Sequence, residues 1–253
     1  MINQRIREIL FFFRSNLWPL LAVTLPFALA GTLLVHVFGE PMAIENETAG
    51  EVHWQSALGL LALYPLALGV KVLAIHALAA AAPLQAGALL GEALRLWPTL
   101  AAISLLGALF AGSVTMLSLG VGIELLRAAG LLGGPAAGLL AFFALPGLYL
   151  YARLGTAPVI AAIEGQATLA ALGSAWQRSQ ADQAVMFRVL LLVVTGIVLA
   201  MLLLFSLLSA AGEDFVRSLP GDLLARGLSE WVFCLVTIAL YRFWSLQPRT
   251  DAS

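Results

Sequence analysis

Charge is what this chain has least of. Charged residues are 11% of the sequence, against roughly 25% in an ordinary soluble domain. With 13 Lys and Arg against 14 Asp and Glu, the formal net charge is -1. No basic stripe exists to hold a nucleic-acid backbone, so nucleic acid is not expected as a partner. There is one cysteine, Cys234, which excludes an internal disulfide framework and reads as packing inside an apolar run. The three histidines, His36, His53 and His76, are unclustered, with no second ligand type at helical spacing. They predict no metal site.

Catalytic signatures are missing as well. The sequence has no G-x-S-x-G elbow, no H-E-x-x-H helix, no P-loop, no Rossmann fingerprint and no C-x-x-C pair. Asp182, Asp214, Asp222 and Asp251 all fall outside the apolar runs, leaving no aspartate pair for intramembrane proteolysis. No span read from these runs carries a central carboxylate of the kind that couples active transport. The expectation is a protein without enzymatic activity and without a cofactor.

What the chain has is apolar length. Hydrophobic residues make up 61% and mean hydropathy is +0.97. A water-soluble core cannot hide that surface, so lipid must cover part of it. Apolar runs of spanning length are read at 17–38, 56–80, 97–119, 135–154, 188–211 and 227–246. The alternation of a barrel strand is absent, so each must be a helix to satisfy its own backbone in hydrocarbon. The fold class is therefore all-α, a polytopic helical bundle with six transmembrane helices in one integral domain, 1–253. The fourth run is expected to extend to Glu164, kinked at Pro146 and near Pro158.

The tryptophans follow the same frame. Trp18 and Trp97 open outgoing runs, Trp54 and Trp231 open return runs, Trp244 closes the last, and Trp176 sits in a polar linker. Indole rings collect at headgroup depth because one edge donates a hydrogen bond while the body is apolar. Arg5, Arg7 and Arg14 before an apolar stretch, with Ala28-Leu29-Ala30-Gly31 behind, resemble a signal peptide. The apolar run continues past that would-be cut to Phe38, so a retained span is expected.

Lys and Arg set the orientation. With the N-terminus inside, the cytoplasmic face holds Arg5, Arg7, Arg14, Arg95, Arg153, Arg178, Arg188, Arg242 and Arg249. Only Arg127, Arg217 and Arg226 fall outside, with Lys71 left in the membrane. Both termini are thus expected in the cytoplasm. Asn46-Glu47-Thr48, in the acidic first outer loop, fits a glycosylation sequon, and Gly134-x-x-x-Gly138 fits small-residue helix packing.

Leu17-Trp18-Pro19-Leu20-Leu21-Ala22 returns as Leu96-Trp97-Pro98-Thr99-Leu100-Ala101. Short amphipathic segments precede each, at 2–13 and 84–96, and a third lies at 168–180 before the fifth run. The pattern suggests three units, 1–82, 83–164 and 165–253, each an interfacial helix followed by a hairpin. Even spacing of helices would produce part of this periodicity unaided.

Three cations stand out on the return helices: Lys71, Arg153 and Arg242. Together at inner-leaflet depth they could hold the phosphate of an anionic lipid. Separate snorkelling under the positive-inside rule explains the same pattern. For Lys71 alone, a stem lying along the helix with its ammonium at the inner headgroups is the simpler expectation, and a buried ion pair the alternative. Glu164-Gly165 reads as a helix C-terminus. A carboxylate there opposes the helix dipole and hints at a cationic partner such as Arg178 or Arg188, although a solvated loop carboxylate is the simpler expectation.

Several segments resemble a known family. These are Phe11-Phe12-Phe13-Arg14-Ser15-Asn16, His36-Val37-Phe38-Gly39, Leu154-Gly155-Thr156-Ala157-Pro158-Val159, Glu164-Gly165, the stretch 171–178 and Leu240-Tyr241-Arg242-Phe243. They look like the YciC-like bacterial inner-membrane protein family. There is wider similarity to the membrane domain of bacterial glycerophosphodiester phosphodiesterases, whose catalytic domain has no counterpart here. The resemblance implies a six-span plasma-membrane protein and supplies no catalytic residues. The function expected is a non-enzymatic role in cell-envelope upkeep through lipid or protein contacts. The alternative is a small transporter or lipid-translocating protein with a cavity between hairpins. What separates the two is whether polar groups converge inside or face outward at the headgroups.

Overall fold

A computed structural model describes residues 2–39, 41, 44–45, 48–49, 53–131, 139–210 and 218–246. The chain is an all-α bundle of helices α1 Ile2–Ser15, α2 Leu17–Phe38, α3 Trp54–Ala79, α4 Ala86–Gly107, α5 Ser113–Ala128, α6 Leu140–Phe143, α7 Leu145–Leu154, α8 Ala157–Glu164, α9 Thr168–Ala210 and α10 Leu219–Leu246. Between α2 and α3, Ile44–Glu45 pairs antiparallel with Thr48–Ala49. Six helical segments are long and apolar enough to cross a membrane. The protein is an integral membrane protein by that measure. Asn46, Glu47, Gly134 and Gly138, and the cations Arg217 and Arg249, lie outside the described residues.

The first run is a single helix with the expected limits, passing Ala30-Gly31 without a break. The third and fifth are longer than their apolar runs. Ala86–Ala128 and Thr168–Ala210 each hold 43 residues, roughly 65 Å at 1.5 Å per residue. That is about twice the hydrocarbon thickness, so each carries its amphipathic head as part of the same rod. In α9 the rod bends at Asp182, whose backbone leaves the helical region (φ -114°, ψ 16°). Asn16, between α1 and α2, takes nearly the same conformation (φ -120°, ψ 24°). No such break separates 84–96 from the helix that follows Trp97. The first and third amphipathic segments therefore share a junction that the second lacks.

The fourth run is segmented, as its prolines predict. Ala144 ends α6 ahead of Pro146, and Gly155-Thr156 separates α7 from α8 ahead of Pro158. Proline fits the first helical turn, where its missing N–H costs nothing. Gly165 then closes α8 in the left-handed conformation (φ 69°), for which glycine has no Cβ penalty.

The last helix departs most from expectation. Its apolar run begins at residue 227, but α10 starts at Leu219. Asp222 sits in its first turn and forms an i,i+4 ion pair with Arg226, Nε to Oδ2 at 2.9 Å. This pairing stabilises helix where the sequence is polar. Asp222 is thus a helical residue, while Asp182 sits at the bend of α9. Trp176 likewise belongs to α9 and not to a linker. Trp231 is not at the end of its helix: its Nε1 donates to the carbonyl of Leu17, the first residue of α2, at 3.3 Å.

Lys71 meets Glu230 and His76 meets Tyr241, so α3 and α10 run in the same direction. The best-buried core lies in the C-terminal halves of these two helices, with α8 and the start of α9. Val72, Ile75, Ile160, Ala171, Cys234 and Ile238 are fully or almost fully buried there. By contrast α5 and the second half of α9 expose Met116, Leu117, Leu199, Leu202, Leu203 and Leu207. A continuous apolar exterior of that kind faces lipid in a membrane protein.

Candidate functional site

Two cavities lie along the shared direction of α3 and α10. The one toward the N-terminal ends of these helices is about 570 Å³. Its walls include Phe27, Gly31 and Leu60, and one face of α10 supplies Asp222, Arg226 and Glu230. These three are spaced four residues apart, so they stack on one face of the helix. The second cavity, toward the C-terminal ends, is about 520 Å³. Leu68, Ile103, Leu172, Val194 and Leu240 make it largely apolar, with Tyr64, Lys71, Ser104, Tyr151, Glu230 and Thr237 as polar exceptions. Both volumes are in the range of small-molecule sites. Tyr64, Glu230 and Phe233 line both cavities, so the two meet at Glu230.

Lys71 does not snorkel along its helix. Its Nζ donates to Glu230 Oε2 at 2.7 Å, a charge-assisted bond between side chains 159 residues apart. The lysine side chain is only 6% exposed and the glutamate 34%. Side chains on a helix lean toward its N-terminus, which aims the Lys71 ammonium back into the bundle and away from the nearer helix end. The buried ion pair, the alternative expectation for Lys71, is what forms. Glu230 bears on the expectation that no span carries a central carboxylate. It lies well inside the 28-residue α10, because that helix begins ahead of its apolar run.

The wall of the second cavity is shaped by a local irregularity. Residues 108–112 form a single π-helical stretch between α4 and α5, and Gly107, Ala108 and Ala111 of this region line the cavity. Such widened turns recur at functional sites because they re-aim backbone and side chains. One turn away, the Ser104 hydroxyl is buried with no hydrogen-bond partner among the described residues.

The other two expected site residues have separate partners. Arg153 is 6% exposed. Its guanidinium donates to Gln183 Oε1 and to the Trp176 carbonyl, both at 2.8 Å, and lies 3.9 Å over the Trp176 ring. Gln183 also bonds the Tyr149 hydroxyl. Arg153 therefore ties α7 to both sides of the bend at Asp182. Arg242 places its guanidinium carbon 5.1 Å from the centre of the Phe12 ring on α1. Among the described residues, Lys71, Arg153 and Arg242 contact three different sets of partners. Lys71 lines a cavity and the arginines serve as fasteners between helices.

Glu164 is not a solvated loop carboxylate. Arg178 grips it with two parallel bonds, at 2.6 and 2.9 Å, and Trp244 Nε1 donates to it at 2.7 Å. The cation cancels the unfavourable charge at the α8 C-terminus and fixes α8, α9 and α10 together. Beside this lock, the His76 ring nitrogen Nδ1 lies 3.0 Å from the Tyr241 hydroxyl. These contacts hold the C-terminal ends of α3 and α10 against each other and against α8. No family model, curated protein or solved structure matches the chain.

Proposed function

We propose that this integral membrane protein carries a small amphipathic molecule between the two cavities that meet at Glu230, without catalysing a chemical change. It is read as a multi-pass protein of the bacterial inner membrane, with both termini cytoplasmic and membrane lipids as its neighbours. The segments that resemble the YciC-like family support that placement, as does the distribution of arginine. In this orientation the 570 Å³ cavity lies toward the outer side and the 520 Å³ cavity toward the inner side.

One observation favours a carrier over a protein of envelope upkeep acting only through external contacts. Its distinctive polar side chains converge inside, on the Lys71–Glu230 pair between two cavities. A buried ion pair is weak as a stabilising device, and apolar residues of similar volume serve a static bundle as well or better. Ionisable groups inside membrane helices are instead a default marker of a ligand or ion path.

The test is leaflet exchange in reconstituted vesicles. Fluorescent dodecyl amphiphiles with ammonium, phosphocholine or carboxylate heads would be followed by bleaching the outer leaflet with dithionite. At least one should cross about tenfold faster with protein than without. The charge-balanced variant Lys71→Met with Glu230→Gln should remove that acceleration. No acceleration for any of the three probes rejects the carrier reading.

A further inference from the structure

We infer that the ligand head recognised at Glu230 is an organic ammonium, and that Lys71 is the resident cation occupying this site when it is empty. The inference rests on the carrier reading above and names the substrate class of the same site. It follows from which member of the ion pair a ligand can reach. Lys71 is 6% exposed and lines the second cavity, whereas Glu230 is 34% exposed and lines both. Lys71 holds Oε2; Glu230 Oε1 has no hydrogen-bond partner among the described residues. The charge presented to the cavities is therefore a half-occupied carboxylate.

The surroundings agree with that sign. Tyr64 and Phe233 line both cavities beside Glu230, and Tyr151 lines the second. Aromatic faces attract ammonium groups through the ring quadrupole. The hydroxyls of Ser104, Tyr64, Tyr151 and Thr237 make no hydrogen bond among the described residues, leaving acceptors for N–H donors. An anionic head would face the more exposed Glu230 carboxylate in either cavity, and in the first the one cation on the same wall, Arg226, is already paired with Asp222. The apolar walls supplied by Leu68, Ile103, Leu172 and Val194 suit an alkyl tail. An amphiphilic amine thus matches the second cavity at both of its ends, and a simple amine and a lipid ethanolamine group both supply such a head.

Equilibrium dialysis of radiolabelled dodecylamine against the purified full chain in dodecyl maltoside tests this. Unlabelled dodecylamine and lyso-phosphatidylethanolamine are the competing ammonium heads, and dodecanoate is the anionic control. Competition by dodecylamine alone, or by both ammonium compounds, supports the inference and tells the two sources apart. Glu230→Gln should weaken dodecylamine binding at least about tenfold, whereas Lys71→Met, which removes the competing resident cation, should tighten it. If either single variant is not monodisperse, the charge-balanced double variant decides, because it retains neither the carboxylate nor an unpaired lysine. It should not bind. Saturable binding of dodecanoate that depends on Lys71, with none of dodecylamine, overturns the ammonium assignment and leaves a carrier of anions. Absence of binding for every probe rejects the carrier reading itself.

Discussion

Lys71 Nζ and Glu230 Oε2 stand 2.7 Å apart and join α3 to α10, the second and last of the long apolar helices. Removing one member of such a pair strands the other in a low-dielectric setting. The cost is about 3–5 kcal/mol for a fully buried pair. Glu230 is a third exposed, and solvent will screen part of that. We expect Lys71→Met or Glu230→Gln alone to destabilise by about 2–3 kcal/mol. Combining them should recover most of the loss, since no unpaired charge remains. Thermal unfolding of the three variants in detergent checks this; purely additive losses would mean that the side chains do not interact.

The grip of Arg178 on Glu164 makes a second prediction. Two parallel bonds and the Trp244 donor converge on one carboxylate whose side chain is 20% exposed. Arg178→Lys keeps the charge but cannot reproduce the fork. We expect it to cost about 1–2 kcal/mol. Glu164→Ala should cost more and should also change the emission of Trp244, whose indole N–H loses its acceptor. Unaltered fluorescence together with unaltered stability would show that this lock is not closed in solution.

Much of the architecture was legible in the sequence because apolar runs of spanning length have few other fates. The 17–38 helix has the limits its composition sets, and the breaks at Pro146 and Pro158 follow from backbone chemistry. The site was less legible. Glu230 stands only three residues into the run 227–246, where it reads as a boundary residue. The missing step was to follow Asp222, Arg226 and Glu230 at i,i+4 spacing and extend the helix back to Leu219. That stripe is the signal for both the longer helix and the inward carboxylate. Arg153 was visible as a cation on a return helix. Its partners Trp176 and Gln183 lie on the two sides of a bend that sequence does not reveal.

Orientation offers a third prediction. The arginines on the N-terminal side of α2 and the C-terminal side of α7 and α10 would face the cytoplasm with both termini inside. A phosphatase fused after Ser253 should be inactive and a fluorescent protein fused there should be bright. Phosphatase activity at that position would reverse the outer and inner assignment of the two cavities and leave their geometry untouched.

A pair of glycines separates close packing from lipid exposure. A Cβ on Gly147, in α7, would collide with the Thr115 side chain and stand 2.8 Å from the Ala111 carbonyl oxygen. Thr115 Oγ1 is itself hydrogen-bonded to that same carbonyl at 2.8 Å, so it cannot turn aside without losing a bond. Ala111 belongs to the π-helical stretch beside the second cavity, and pushing it would move the cavity wall. Gly147→Ala should therefore destabilise by about 1–3 kcal/mol, the usual cost of overpacking. Gly196, in α9, has nothing within 4 Å of the corresponding position. Gly196→Ala adds a better helix former on an open face and should be neutral or stabilising by up to about 1 kcal/mol. Thermal unfolding of the two variants side by side tests the contrast. Equal effects would mean that α7 does not seat against the widened turn at residues 108–112, and the wall of the second cavity would then lack its support.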